Sequence, residues 1–129
     1  MEEGAALKPM ILTCPGCIEL PEQGIRVLCT PAESCLAEKD CFTVMSRGTI
    51  CLRARLPGDT MRLSGGTKEL LKLFIDKKIP AALRSGIPVL ADDLGVLGVY
   101  GLGPNRDRLA RTLPGVQIRF ESVLSSGTL

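Results

Sequence analysis

The chain contains no histidine and no tryptophan. Without histidine it lacks the commonest general base near neutral pH and the commonest metal ligand. Its aromatic residues are Phe42, Phe74, Tyr100 and Phe120 alone. Single-stranded nucleic acid is usually gripped by stacked aromatics, so a grip of that kind is not expected. Long apolar runs are also missing. The stretch from Gly95 to Gly103 is short, rich in glycine and flanked by Asp92, Asp93 and Asn105, which suits a strand and not a membrane span. The opening MEEGAALKP has neither a basic n-region nor an apolar h-region. A cytoplasmic location with no membrane partner is the expectation.

What is present suits a single domain of 129 residues, long enough to bury a core built from Leu, Ile, Val and Ala. Residues 1–9 and 121–129 are expected to be tails. Six cysteines (Cys14, Cys17, Cys29, Cys35, Cys41 and Cys51) come without a secretory signal, which argues against a disulfide framework. Cys14-Pro15-Gly16-Cys17 has the spacing of a zinc knuckle, but no second closely spaced pair or histidine completes it. Cys14 and Cys17 are the only metal-ligand candidates, and small buried side chains beside a Pro-Gly turn explain them more simply.

Charge is unevenly placed. Arg53 to Arg84 holds eight bases against three acids, a net +5. Residues 1–52 carry −3 and residues 85–129 carry zero. A basic block in a nearly neutral chain points to a polyanionic partner. A solvated helix face with two strand arginines would give the same count.

Short apolar runs predict strands over Met10–Cys14, Gly24–Cys29, Cys41–Met45, Met61–Leu63 and Val116–Phe120. Thr49 to Leu56 alternates, with Ile50, Leu52, Ala54 and Leu56 on one face and Arg53 and Arg55 on the solvent side. Pro57-Gly58-Asp59 ends that strand. Thr67 is placed to cap a helix over Lys68–Lys78, with Lys68, Lys72 and Asp76 on its polar face and Leu70, Leu71, Leu73, Phe74 and Ile75 packed. Ala81 to Ser85 predicts a short helical turn, and Pro88–Ala91 with Val96–Tyr100 a hairpin. A loose helical turn is expected in Pro104–Arg111. Many strands around one main helix make an α+β fold.

Gly65 and Gly66 before the expected helix would present backbone N–H groups to a phosphate, with Arg62 and Lys68 beside them. An ordinary helix start accounts for the same residues. Ser64-Gly65-Gly66 lacks the Asp and Ser that complete an ATP-pyrophosphatase loop, and no Gly-Lys-Ser/Thr phosphate loop occurs. No Ser, Cys or carboxylate has an evident base partner, so no catalytic residue is assigned.

The order Arg53-x-Arg55-x-Pro57-Gly58-Asp59, Gly66-Thr67-Lys68, Lys72 to Pro80, Arg84, Ile87-Pro88-Val89-Leu90 and Gly95 to Val99 resembles the C-terminal domain of tRNA(Ile)-lysidine synthase. The likeness covers residues 48–108. It implies an α+β fold shared with part of a phenylalanyl-tRNA synthetase subunit. It also implies a domain that holds isoleucine tRNA near the acceptor stem, while a separate catalytic domain joins lysine to the wobble cytidine. ATP and Mg²⁺ would belong to that domain, and this chain alone is not expected to make lysidine. Under this reading Arg53, Arg55, Arg62, Lys68, Lys72, Lys77, Lys78 and Arg84 contact RNA phosphates. Gly58, Asp59, Gly65, Gly66 and Thr67 shape the backbone. The alternative is a non-enzymatic interaction module that docks on a catalytic subunit or forms a homodimer, its basic face being incidental.

Overall fold

A computed structural model describes residues 7–123. The chain opens with β1 (Met10–Leu12), β2 (Gly16–Leu20), β3 (Ile25–Pro31), β4 (Cys41–Val44) and β5 (Ile50–Arg53). A hairpin of β6 (Thr60–Leu63) and β7 (Gly66–Glu69) leads into α1 (Leu70–Asp76) and the single turn α2 (Ala81–Arg84). Then come β8 (Val89–Asp92), β9 (Gly95–Val99), β10 (Gly103–Pro104), a 3-10 turn (Arg106–Arg108) and β11 (Val116–Ser122).

The strands form two larger antiparallel sheets, ordered β1-β5-β8-β9-β10 and β2-β3-β11-β4, beside the β6-β7 ribbon. In β3, Ile25, Val27 and Cys29 are buried while Arg26 and Leu28 are partly exposed, the period-two pattern of a half-buried strand. These residues meet Phe42, Val44, Ile118 and Phe120 from their own sheet, and Leu12, Ile50, Leu52, Leu90 and Leu97 from the other. That cluster is the sandwich core. A second core lies across β8 and β9, where Val89, Val96 and Val99 pack against Met61, Leu70, Leu73 and Phe74. The β8–β9 hairpin is thus covered on both faces, which explains the consecutive apolar residues in each strand, Val89 to Ala91 and Val96 to Val99. Gly98 in that hairpin has no substitute, because a Cβ there would lie 2.5 Å from Phe42 Cζ. The result is the α+β arrangement expected from the sequence, in three layers.

Several boundaries differ from expectation, each for a local reason. Gly16–Leu20 forms a strand the turn-rich sequence conceals; it pairs along β3 from Gly16↔Cys29 to Leu20↔Ile25. The strand from Thr49 ends at Arg53, not Leu56, because side chains take the backbone groups that a ladder would need. Arg53 Nη1 donates to Ala54 O, and Asp59 Oδ2 accepts from the Leu56 N–H. Leu56 is therefore exposed. The helix starts at Leu70, not Lys68, since residues 66–69 pair with β6 from Leu63↔Gly66 to Thr60↔Glu69. Its buried side chains are Leu70, Leu73 and Phe74; Leu71 is only partly buried and Ile75 is exposed. The expected tails are shorter than the boundaries given for them: Leu7 packs against the sandwich core, and Glu121 and Ser122 pair with Arg26 and Ile25. The remainder of both tails lies outside the described residues. Among the described residues no helix is long and apolar enough to cross a membrane.

Candidate nucleic-acid interface

The Arg53-to-Asp59 turn is a clamp. Arg53 meets Asp59 through two bonds, Nη1 to Oδ2 at 2.8 Å and Nη2 to Oδ1 at 3.2 Å. Both side chains are largely buried, and the bidentate geometry gives a charge-assisted pair. Asp59 N–H donates to Leu56 O, and Asp59 O accepts the first helical amide, that of Leu70. Gly58 reverses the chain with φ of 90°, a conformation that costs glycine nothing. Arg53 thus spends its charge within the fold and is not on the open solvent side, whereas Arg55 has no carboxylate partner among the described residues. Arg55 shares a hollow with Arg84, whose Nε donates to Ile79 O at 3.0 Å.

Helix α1 carries Lys72, and Lys77 and Lys78 follow at its C-terminal end. It ends in a Schellman arrangement: Lys78 N–H donates to Ile75 O and Ile79 N–H to Phe74 O, with Lys78 in the left-handed region at φ 61°. Lys72, Lys77 and Lys78 are exposed. Lys68 sits on β7, not on the helix, and reaches Asp76 at 3.4 Å. Thr67, Lys68, Glu69, Lys72 and Asp76 line one shallow hollow, so two cations there face two carboxylates.

The glycine pair does not sit at a helix start. Ser64 and Gly65 form the two-residue turn of the β6–β7 hairpin, and Gly66 lies in β7 at φ 124°. Thr67 is accordingly not an N-cap. Glu69 occupies that position, and its side chain makes no cap bond. The expected phosphate loop at a helix N-terminus is replaced by an exposed hairpin tip.

Sequence reasoning passed over the arginines after β10. Arg62, on β6, faces Arg106, Asp107 and Arg111 across a hollow of about 470 Å³. Asn105 builds this wall. Its Oδ1 accepts from the Arg62 and Asp107 amides at 3.0 and 3.1 Å, and its Nδ2 donates to Val96 O at 2.8 Å. Arg108 points elsewhere. It donates to Asp92 through Nη1 at 2.8 Å and Nη2 at 2.5 Å, and to Met45 O at 3.0 Å. Burial alone would raise the Asp92 pKa, but bonds from Arg108 and from the Arg47 and Leu94 amides, with the Arg108 charge, outweigh it and hold the carboxyl below its ordinary value. The only advance sign of this second basic group was the polar, basic composition of Pro104–Arg111.

The cysteines are free. Cys29 is buried, and its thiol is pushed up to about 12, first by burial and then by the Cys14 thiol beside it. Cys14 and Cys17 are exposed. Among the described residues no three His, Cys, Asp or Glu side chains converge to hold a metal. Three of the four aromatics are buried, and Tyr100, exposed on one side, packs edge-on against Phe120 at 5.4 Å.

The family described as the TilS substrate C-terminal domain matches residues 50–119. A tRNA(Ile)-lysidine synthase of Exiguobacterium sibiricum is 45% identical over 53 residues, covering 40% of this chain and 13% of that protein. One from Clostridioides difficile is 34% identical over 79 residues, covering 60% of this chain and 17% of that protein. The chain thus spans less than a fifth of the length of these curated relatives. A crystal structure of a TILS C-terminal domain superposes with a TM-score of 0.73 at 26% identity, covering 89% of this chain and 98% of the other. With more than half of its sequence and most of its fold matched, the chain belongs to the TilS substrate C-terminal domain family, the C-terminal domain of tRNA(Ile)-lysidine synthases.

Proposed function

We propose that this domain holds isoleucine tRNA, near its acceptor stem, for a lysidine synthase that joins lysine to the wobble cytidine in the cytoplasm. The observation behind this reading is the set of cations without carboxylate partners inside the family-matched segment. Arg55, Lys72, Lys77, Lys78 and Arg84 have none among the described residues, while Asp59, Asp76, Asp92 and Asp107 are each taken by another base. Free cations suit duplex RNA, whose phosphates are contacted for shape more than for sequence. Catalysis is assigned to another domain of the enzyme. ATP and Mg²⁺ would go with it, as the family resemblance implies.

Competition binding tests the reading. A labelled tRNA transcript should be displaced by an RNA hairpin much better than by a DNA hairpin of the same length. Equal displacement by DNA would leave only unspecific charge attraction.

One observation favours docking on the catalytic domain as a second activity. Leu83, Ile87, Pro88 and Tyr100 line an apolar hollow of about 340 Å³, with Leu83 58% exposed. Co-elution of this chain with a separately expressed catalytic domain, lost in Leu83→Asp, would support the docking.

A further inference from the structure

We propose that the hollow between β6 and the 3-10 turn, lined by Arg62, Arg106 and Arg111, is a phosphate-binding subsite for the RNA backbone. This inference rests on the tRNA-holding function above and joins Arg62 to Arg106 and Arg111, which lie outside the basic block at residues 53–84.

The hollow carries a surplus of positive charge, as does the one shared by Arg55 and Arg84. Three guanidinium groups face one carboxylate, Asp107, around about 470 Å³. The hollow beside α1 sets two lysines against two carboxylates and has no such surplus. Arg106 and Arg111 have no carboxylate partner among the described residues, and both are exposed. Arg62 meets Asp107 at 3.5 Å, with both side chains more than half exposed. An ion pair that open is weak, so a phosphate can compete for the guanidinium.

The walls are fixed in advance. Asn105, only 8% exposed, binds the backbone of both β6 and the turn, and so holds Arg62 and Asp107 at a set separation. Arg108, within the same turn, is locked onto Asp92 and anchors the turn to β8. Buried Ala110 and partly buried Leu109 form an apolar floor, which strengthens the attraction between charges above it. Arginine suits the task, since its planar fork binds two phosphate oxygens at once. No aromatic side chain lines the hollow, and its guanidinium groups match the oxygens of a phosphate.

The test is binding of a labelled RNA hairpin by the full chain across a salt series, with Arg106→Gln/Arg111→Gln against wild type. The double variant should melt at the wild-type temperature and bind several-fold more weakly. Its log affinity–log salt slope should be shallower by about 2, one for each lost phosphate contact. Lys8→Gln/Lys39→Gln, two exposed cations outside the hollow, should keep the wild-type slope. An Arg106→Gln/Arg111→Gln protein with wild-type slope and affinity overturns the subsite and leaves tRNA holding intact. An equal loss in the Lys8/Lys39 control also overturns it, because the effect is then net charge alone. A wild-type chain that does not bind RNA at low salt overturns both. Inorganic phosphate at matched ionic strength separates the two sources of the ligand. Displacement of RNA from wild type as strong as that by free RNA would assign the hollow to free phosphate and overturn the backbone contact.

Discussion

The Asp92 carboxylate is fully buried and accepts from Arg108 and two backbone amides, which ties β8 to the loop after β4 and to the 3-10 turn. Asp92→Asn leaves the Arg108 charge buried without its partner, and such changes cost about 3–5 kcal/mol. Urea unfolding at neutral pH should register that loss; a wild-type midpoint would show that the pair is dispensable. The pH dependence has a definite sign. The folded-state pKa lies below the ordinary value, so protonation favours the unfolded chain. The stabilisation is fully present above about pH 4 and is lost as pH falls through the lower folded-state value. Asp92→Asn should lack this part of the acid limb. A second change at this scale should work in the opposite direction. Lys78 holds a left-handed conformation at the end of α1, where glycine is unstrained. Lys78→Gly should stabilise the fold by about 1 kcal/mol, measured as a raised Tm. Sequence alone does not separate a structural arginine from a free one. Arg53 and Arg55 share a motif and an expected strand face, but only Arg53 has an aspartate folded back on it, six residues along the chain.

At the scale of elements, the β6–β7–α1 unit decides where the basic block points. Its hydrophobic residues were legible: Leu70, Leu73 and Phe74 recur at helical spacing and are buried. Its start was not. Thr67 ahead of a helix-forming run has the character of an N-cap, but Thr60–Leu63 and Gly66–Glu69 gain a full antiparallel register by closing a hairpin over Ser64–Gly65. Pairing between segments of this kind is invisible to a reading that takes each one separately. The consequence is that Lys68 and Lys72 meet Glu69 and Asp76 in one hollow. Lys68→Glu with Lys72→Glu should leave stability within about 1 kcal/mol of wild type, since exposed ion pairs contribute little. The same double variant should bind tRNA several-fold more weakly in an anisotropy titration. Unchanged affinity would remove this patch from the interface and leave Arg55, Arg84 and the hollow at Arg62.

At the scale of the molecule, the fold class follows from the pattern of short apolar runs, and the ordered motifs from Arg53 to Val99 carry the family likeness. Two features needed three dimensions. β2 pairs along β3 with little periodicity of its own, and Arg62 meets Arg106 and Arg111 from more than forty positions away in sequence. The sandwich and the helical layer share β8–β9, so the cations are displayed on a scaffold supported from both sides. Such a scaffold can present phosphate contacts without rearranging. The most direct test is fluorescence anisotropy of a labelled tRNA titrated with the wild-type chain over a range of salt concentrations. Affinity that falls steeply with salt, with a log–log slope of several units, is the expected result and means that several phosphates are neutralised together. No binding at low salt, or binding indifferent to salt, would contradict a tRNA-holding role for this domain.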